Sequence, residues 1–213
     1  AAGSAHAQTV LVTLQDLTRL RRAEDAVQTL SYFDSATGLP NRRHLLEQLS
    51  TALKDRKPGA ALCVAAFRVH GLDRIAQAHG AELADKLLSE AARQIGEHLA
   101  EAGTGGTLLK QANTARVCRT SEAGLAMLIH SREPVEHLPD LICTALARVS
   151  GQPTNLGTEY LPAVSAGIAL VDGDTTGAEQ LLTNAQAASE QAREPRSCER
   201  YTPVPLARSR RRL

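Results

Sequence analysis

Histidine and cysteine, the residues that most often bind metals or act as nucleophiles, are scattered in this chain. His70 follows the apolar run AALCVAAFRV, and no histidine or cysteine partner lies at ligand spacing from it. Cys63, Cys118, Cys143 and Cys198 are far apart and form no CxxC pair, so we do not expect a zinc site. We interpret the four as reduced thiols, mostly in the core, and His70 as an ordinary strand or loop histidine.

The segment DSATGLPNRR, residues 34–43, has the most distinctive local pattern. Gly38 can adopt a positive φ at low cost, Pro40 fixes its own φ, and Asn41 is suited to cap a following helix. An apolar helical pattern precedes this segment and another follows it. The sequence therefore predicts a compact turn between two helices.

Composition excludes several classes of function. The chain has 213 residues, of which 43% are hydrophobic and 22% charged, as is ordinary for a globular domain with additional elements. Aromatic residues make up 2%, with no Trp, which argues against base-stacking surfaces for nucleic acid. The net charge of +1 offers no field to attract a polyanion. With no apolar run of membrane-spanning length and no signal peptide, we expect a cytoplasmic protein that binds no nucleic acid.

Helical and strand patterns alternate along the chain. Helical spacing of apolar residues covers 17–30, 42–56, 72–102 with a break near Gly80, 134–151 and 177–193. Strand patterns cover 9–16, 60–69, 160–171, 198–204 and a hairpin formed by 105–120 and 124–131. This order predicts an α/β or α+β sandwich in which helices cover a mainly antiparallel sheet.

The predicted helix at 17–30 carries a short apolar stripe. Leu20, Ala23, Val27 and Leu30 are spaced three, four and three residues apart, which is a heptad seam of only about two repeats. Two interpretations stay open: the stripe forms a weak homodimer, or it packs on its own domain.

Four motifs in order resemble the GGDEF family, the diguanylate cyclase domain of bacterial signalling, over roughly residues 30–202. Asp34 with TGLPNRR resembles DxLTGLPNR, and GAELADKLL resembles GHxxGDxLL with Asp85 in register. VSAGIAL resembles the SIGIA strand, and LLTNAQAASEQAR resembles LLxxADxAxxxAK with Arg193 in the lysine position. The resemblance implies a central five-stranded sheet wrapped by helices, related to nucleotidyl cyclase and polymerase palm domains.

The resemblance also implies a reaction between two GTP molecules, whose metal ions need carboxylates at two positions. This chain has Arg68 at the strand position, and the hairpin signature, Ser121–Leu125, places Ala123 at the other. Glu122 is one residue out of register, which on a hairpin points a side chain elsewhere. We therefore expect no catalytic residue, no metal and no cofactor.

Some polar groups of the family's nucleotide pocket persist. Asp85 matches the position that contacts guanine, Arg193 could pair with a phosphate, and Arg68 could replace a metal as a phosphate partner. Both charged helix residues, Asp85 and Arg193, could equally be ordinary surface or capping residues. The family's RxxD inhibition site falls on Ala112 and Ala115, so inhibition by cyclic di-GMP is not expected there.

The resemblance divides the chain into the end of a PAS-like domain (1–16), a signalling helix (17–32), a degenerate GGDEF domain (33–202) and a basic tail or linker (203–213). The leading hypothesis is an inactive regulatory or scaffolding module whose partners are neighbouring PAS and EAL domains and other signalling proteins. Polar regulators of type IV pilus twitching motility are one such group. The alternatives are a regulatory domain that binds GTP or cyclic di-GMP and an active cyclase with a rearranged site.

Overall fold

The segment with the most continuous apolar pattern forms the central strand of one sheet. The computed structural model describes residues 31–56, 61–102, 117–131, 137–149, 163–171, 177–192 and 194–202. Within these ranges the strands are β1 (Ala61–His70), β2 (Cys118–Arg119), β3 (Gly124–Ser131), β4 (Ala163–Leu170) and β5 (Cys198–Arg200). The helices described are α1 (Arg42–Lys54), α2 (Leu72–His79), α3 (Ala81–Ala102), α4 (Leu138–Val149) and α5 (Ala178–Gln191).

The sheet has the order β2-β3-β1-β4-β5. All neighbouring strands are antiparallel except β4 and β5, which are parallel. Near the end of β1, Arg68 is paired in register with Gly124 of β3 on one side and with Ser165 of β4 on the other. The predicted mainly antiparallel five-stranded sheet is confirmed, with the hairpin between β2 and β3 at one edge.

Helices cover both faces of the sheet, which is why β1 is apolar at nearly every position. Successive side chains of a strand point to opposite faces. On one face, Cys63 and Phe67 belong to a buried cluster with residues of α3 and α4. On the other face, Leu62 and Val64 belong to a second buried cluster with residues of α1 and α5. Arg68 lies on this second face by the same alternation, beyond the end of the apolar cluster.

Gly80 and Gly167 lie where a side chain would be unfavourable, for two different reasons. Gly80 has a φ of +91° and separates α2 from α3, which confirms the predicted break. Gly167 lies in β4 directly under α5, where an added Cβ would overlap the backbone of Ala185 and Ser189. Glycine at this position therefore lets α5 pack directly onto the sheet.

Several predictions from the sequence lie outside the described residues. These are the strand at 9–16, most of the helix at 17–32, the first part of the predicted hairpin, Ala112, Ala115, Arg193 and the tail at 203–213. Within the described part of the chain, no helix is both long enough and apolar enough to cross a membrane.

Candidate functional site

The segment DSATGLPNRR forms the compact turn that its residues predict. Oδ1 of Asp34 accepts hydrogen bonds from the backbone N–H of Thr37 at 2.9 Å and from its hydroxyl at 2.7 Å. Gly38 has a φ of +69°, and its N–H donates to the carbonyl oxygen of Asp34 at 2.8 Å. Asn41 caps α1, because its Oδ1 accepts from the N–H of His44 at 3.1 Å. The turn thereby fixes the direction of the Asp34 carboxylate.

Arg119 on β2 connects this turn to the rest of the domain. Its Nη1 lies 2.8 Å from Oδ1 of Asp34 and 3.0 Å from Oδ1 of Asp85 on α3. Its backbone N–H donates to the carbonyl oxygen of Pro40 at 2.8 Å, and its Nε donates to that of Ser121 at 3.3 Å. One arginine thus joins the turn, the start of α3 and the hairpin.

The hydrogen bonds from Thr37 and the contact with Arg119 set the ionisation of Asp34. Burial alone would raise the pKa of its carboxyl group, but hydrogen bonds from Thr37 and the charge of Arg119 outweigh burial and lower that pKa. Asp34 is therefore ionised at neutral pH and serves as an anchor for Arg119.

A cleft of about 630 Å³ opens on the α5 side of the sheet, where β1 ends. It is lined by residues 66–71 and Asp73, by residues 120–125 of the hairpin, and by Gln186, Ser189 and Glu190 of α5. Both positions where the family resemblance implies metal-binding carboxylates, Arg68 and Ala123, line this one cleft.

Arg68 is exposed and forms no hydrogen bond or ion pair with other residues in the described ranges. Two residues further along β1, the ring Nε2 of His70 lies 2.9 Å from the Ser165 hydroxyl. Burial, and then the positive charge of Arg68, lower the pKa of His70. The neutral form of the His70 imidazole is therefore favoured, next to the positive charge of Arg68.

The hairpin turn brings Ala123 next to the end of β1. The backbone N–H of Val69 donates to the carbonyl oxygen of Ala123 at 2.9 Å, and the N–H of Thr120 donates to that of Gly124 at 2.9 Å. Glu122 is exposed in this turn and lines the cleft, together with the carboxylates of Asp73 and Glu190. Within the described ranges, no group of three or more His, Cys, Asp or Glu side chains is arranged to hold a metal ion.

Of the three residues predicted for a remnant nucleotide pocket, the structure describes two, and only one of these lines the cleft. Arg68 lines the cleft, Asp85 is paired with Arg119 and is not part of the cleft lining, and Arg193 lies outside the described residues. The contacts of Arg119 are not predicted from the sequence. Its position just before the hairpin signature was the available signal, since Asp34 and Asp85 belong to the two preceding motifs.

The family model of the diguanylate cyclase GGDEF domain matches residues 31–197. The chain belongs to the GGDEF family. The match spans every strand and helix described above except β5, which begins one residue after it ends. It includes the turn, the cleft and the three residues of the Asp34–Arg119–Asp85 contact.

A curated relative is the bifunctional diguanylate cyclase/cyclic di-GMP phosphodiesterase MucR of Pseudomonas aeruginosa. It is 27% identical over 179 residues, which are 83% of this chain and 24% of MucR. The chain thus spans about a quarter of the length of this GGDEF relative.

Two solved structures illustrate the shared GGDEF fold. The coiled coil and GGDEF domain of DgcB from Caulobacter crescentus, in complex with c-di-GMP, gives a TM-score of 0.68 at 19% identity and covers 86% of this chain and 93% of DgcB's. The second is the diguanylate cyclase SiaD of Pseudomonas aeruginosa in complex with its activator SiaC. Its TM-score is 0.62 at 21% identity, and the match covers 85% of this chain and 66% of the SiaD chain. At such identities the likeness concerns the fold.

Proposed function

We propose that this domain is a catalytically inactive GGDEF module that regulates or scaffolds a cyclic di-GMP signalling protein through protein contacts. The observation that carries the proposal is the pair Arg68 and Ala123, which face the same cleft at the positions where the family reaction needs carboxylates. An arginine there places a positive charge where metal cations would sit, and an alanine offers no ligand.

The remaining carboxylates of the cleft do not replace this pair. Glu122 is exposed in the hairpin turn, one residue before Ala123, Asp73 belongs to α2, and Glu190 belongs to α5. A metal-assisted phosphoryl transfer needs ligands that converge on one ion and hold it against two oxygens of the substrate. Among the described residues, these three carboxylates form no group arranged to hold a metal ion, and Arg68 adds a positive charge beside them.

The setting that we propose is a multidomain cytoplasmic regulator. MucR is bifunctional and is about four times as long as the aligned segment, and SiaD is recognised by a separate activator protein, SiaC. By analogy, this module would pass signals between a preceding PAS domain and a following EAL domain, or bind another signalling protein. Twitching motility driven by type IV pili is the process that we would test first.

The decisive experiment is an activity assay on the purified chain. Incubation with GTP and either Mg²⁺ or Mn²⁺ should give no cyclic di-GMP above background, while an active diguanylate cyclase assayed in parallel does. Glu122→Ala is the matched variant. Turnover by the wild-type chain that disappears in Glu122→Ala would overturn the proposal and establish an active cyclase with a rearranged site.

A second candidate function is a regulatory domain that binds GTP or cyclic di-GMP in the cleft. The observation that favours it is Arg68, an exposed guanidinium without an ion-pair partner among the described residues. Arginine recognises phosphate through a planar fork of N–H donors and needs no metal to do so. Nucleotide binding that persists without divalent ions distinguishes this function from pure scaffolding.

A further inference from the structure

Two of the four cysteines lie side by side at the edge of the domain. Cys143 on α4 and Cys198 on β5 are each partly exposed, and their thiols lie close enough for Cys143 to influence the pKa of Cys198. Sγ of Cys198 also lies 4.0 Å from the carbonyl oxygen of Pro139. This carbonyl is one helical turn before Cys143, so the Cys198 sulfur rests against the turn of α4 that carries Cys143.

The other two cysteines have a different environment. Cys63 in β1 and Cys118 in β2 are fully buried, and burial raises the pKa of each thiol to about 12. Such thiols are inert at neutral pH because they are neither ionised nor accessible. The prediction of core thiols therefore holds for these two, whereas Cys143 and Cys198 are available to solvent and to each other.

We propose that Cys143 and Cys198 are a thiol–disulfide pair, a modification site for oxidants of the peroxide class, and that its oxidation fixes β5 to α4. In a reducing compartment such a pair stays reduced until an oxidant reaches it, as is typical of redox-sensing cysteines.

The order of reaction follows from the surroundings of the two sulfurs. Burial, the interaction with Cys143 and the carboxylates of Glu199 and Asp140 all raise the pKa of the Cys198 thiol. Cys198 therefore stays protonated, and Cys143 is the sulfur that we expect to be oxidised first.

The chemistry balances as two steps with one molecule of hydrogen peroxide. The Cys143 thiolate attacks a peroxide oxygen, the O–O bond breaks, and a sulfenic acid and hydroxide form. The sulfur of Cys198 then attacks the sulfenic sulfur, the S–S bond forms, and water leaves with the former thiol proton. The two thiols lose two electrons together, and the peroxide is reduced to two waters.

The disulfide would hold β5, the last strand described, in place. β5 is a three-residue edge strand held by backbone bonds to β4, including Ala166 N–H to Ser197 O at 2.9 Å and Tyr201 N–H to Ile168 O at 2.8 Å. Short edge strands open locally at low free-energy cost. A covalent bond to α4, whose Ile142 and Leu146 are buried in the core, would suppress that opening.

The test treats the purified chain with hydrogen peroxide, alkylates the remaining thiols and maps the peptides. We expect a disulfide-linked peptide pair that joins Cys143 and Cys198, is not alkylated and is separated by a thiol reductant. Its mass should be about 2 Da lower than the summed mass of the two thiol peptides. Cys63 and Cys118 should show no oxidation in the same map. Hydrogen exchange at Tyr201 should slow by about tenfold in the oxidised chain relative to the reduced one.

Two variants complete the experiment. Cys143→Ser and Cys198→Ser should each lose both the linked peptide and the slowed exchange, with circular dichroism confirming that each variant is folded. Three results would overturn the proposal: no reaction at either thiol, oxidation of Cys143 that stops at sulfenic or sulfinic acid, or a disulfide between two chains in place of the internal one.

Discussion

Arg119 and Asp34 are 85 residues apart in the sequence, and Nη1 of the arginine lies 2.8 Å from Oδ1 of the aspartate. The same nitrogen lies 3.0 Å from Oδ1 of Asp85, so one guanidinium is shared by two carboxylates from two different motifs. Only 15% of the Arg119 side chain is exposed, compared with 42% of that of Arg42 in its pair with Glu179. This difference in burial decides which ion pair matters for stability.

Arg119→Met should destabilise the domain clearly. The substitution keeps much of the side-chain length but removes the cation shared by two partly buried carboxylates, of which Asp34 keeps its hydrogen bonds from Thr37, at a cost of about 1.5–3 kcal/mol. Urea unfolding monitored by circular dichroism measures the change in the free energy of unfolding.

Glu179→Gln is the matched control for Arg119→Met. It breaks the Arg42–Glu179 pair, whose side chains are 42% and 65% exposed, and should cost no more than about 1 kcal/mol. Equal losses for the two variants would mean that Arg119 contributes no more than an ordinary surface ion pair.

Asp34→Asn should give a pH-dependent loss of stability. The pKa of Asp34 is lowered in the folded state, so its carboxylate contributes stability above the unfolded pKa and loses that contribution as pH falls through the folded pKa. The gap in unfolding free energy between wild type and Asp34→Asn should be largest at neutral pH and shrink as pH falls below about 4. Urea unfolding at a series of pH values checks this, and a gap that is constant with pH would contradict it.

The sequence predicts the fold well because its determinants are local. The apolar run of β1, the positive φ of Gly38, the break at Gly80 and the cap at Asn41 depend on residue types and short-range geometry, and all four are confirmed. The family register also assigns Arg68 and Ala123 to the two metal-ligand positions, and in the structure both residues line one cleft.

The contacts of the site are less predictable because they join distant segments. The family register predicts that Asp85 contacts a nucleotide, yet in the structure Asp85 on α3 is paired with Arg119 of β2. Similarly, Cys143 and Cys198 carry no spacing signal, since they meet only when β5 lies against α4. Such pairings follow from side-chain geometry across elements, which one sequence does not encode in any short pattern.

Gly167→Ala should disrupt the packing of α5 on the sheet. The new methyl group would overlap backbone atoms of Ala185 and Ser189, which cannot move aside as a flexible side chain could. We expect a loss of about 2–3 kcal/mol or more in the free energy of unfolding. Thermal or urea unfolding of the purified variant provides the measurement.

The control for Gly167→Ala is Gly96→Ala in the middle of α3. There the nearest atom to the added Cβ is Cγ2 of Val117 at 3.8 Å, an ordinary contact. Alanine has the higher helix propensity, so this variant should be more stable than wild type by about 0.5–1 kcal/mol. If both variants shift stability in the same direction, close approach of α5 is not what requires Gly167.

The cleft should bind GTP weakly and without a metal. Arg68 supplies a cation for a phosphate group, whereas the carboxylates of Asp73, Glu122 and Glu190 in the same lining repel a polyanion. Base recognition is also reduced, because Asp85 is paired with Arg119 and lies outside the cleft lining. We therefore expect a dissociation constant in the high micromolar range or above, about −5.5 kcal/mol or weaker, with little preference for GTP over ATP.

Isothermal titration with Mg²⁺ and again with EDTA measures this binding, with Arg68→Gln and Arg74→Gln as paired variants. Arg68→Gln should weaken binding by about tenfold or more, since a charge-assisted hydrogen bond to phosphate is lost. Arg74 is exposed on α2 but does not line the cleft, so Arg74→Gln removes the same net charge and should leave binding nearly unchanged. Tight, guanine-selective binding that requires Mg²⁺ would instead mean that carboxylates of the cleft hold a metal despite Arg68, because an arginine alone gives neither the metal dependence nor the base selectivity.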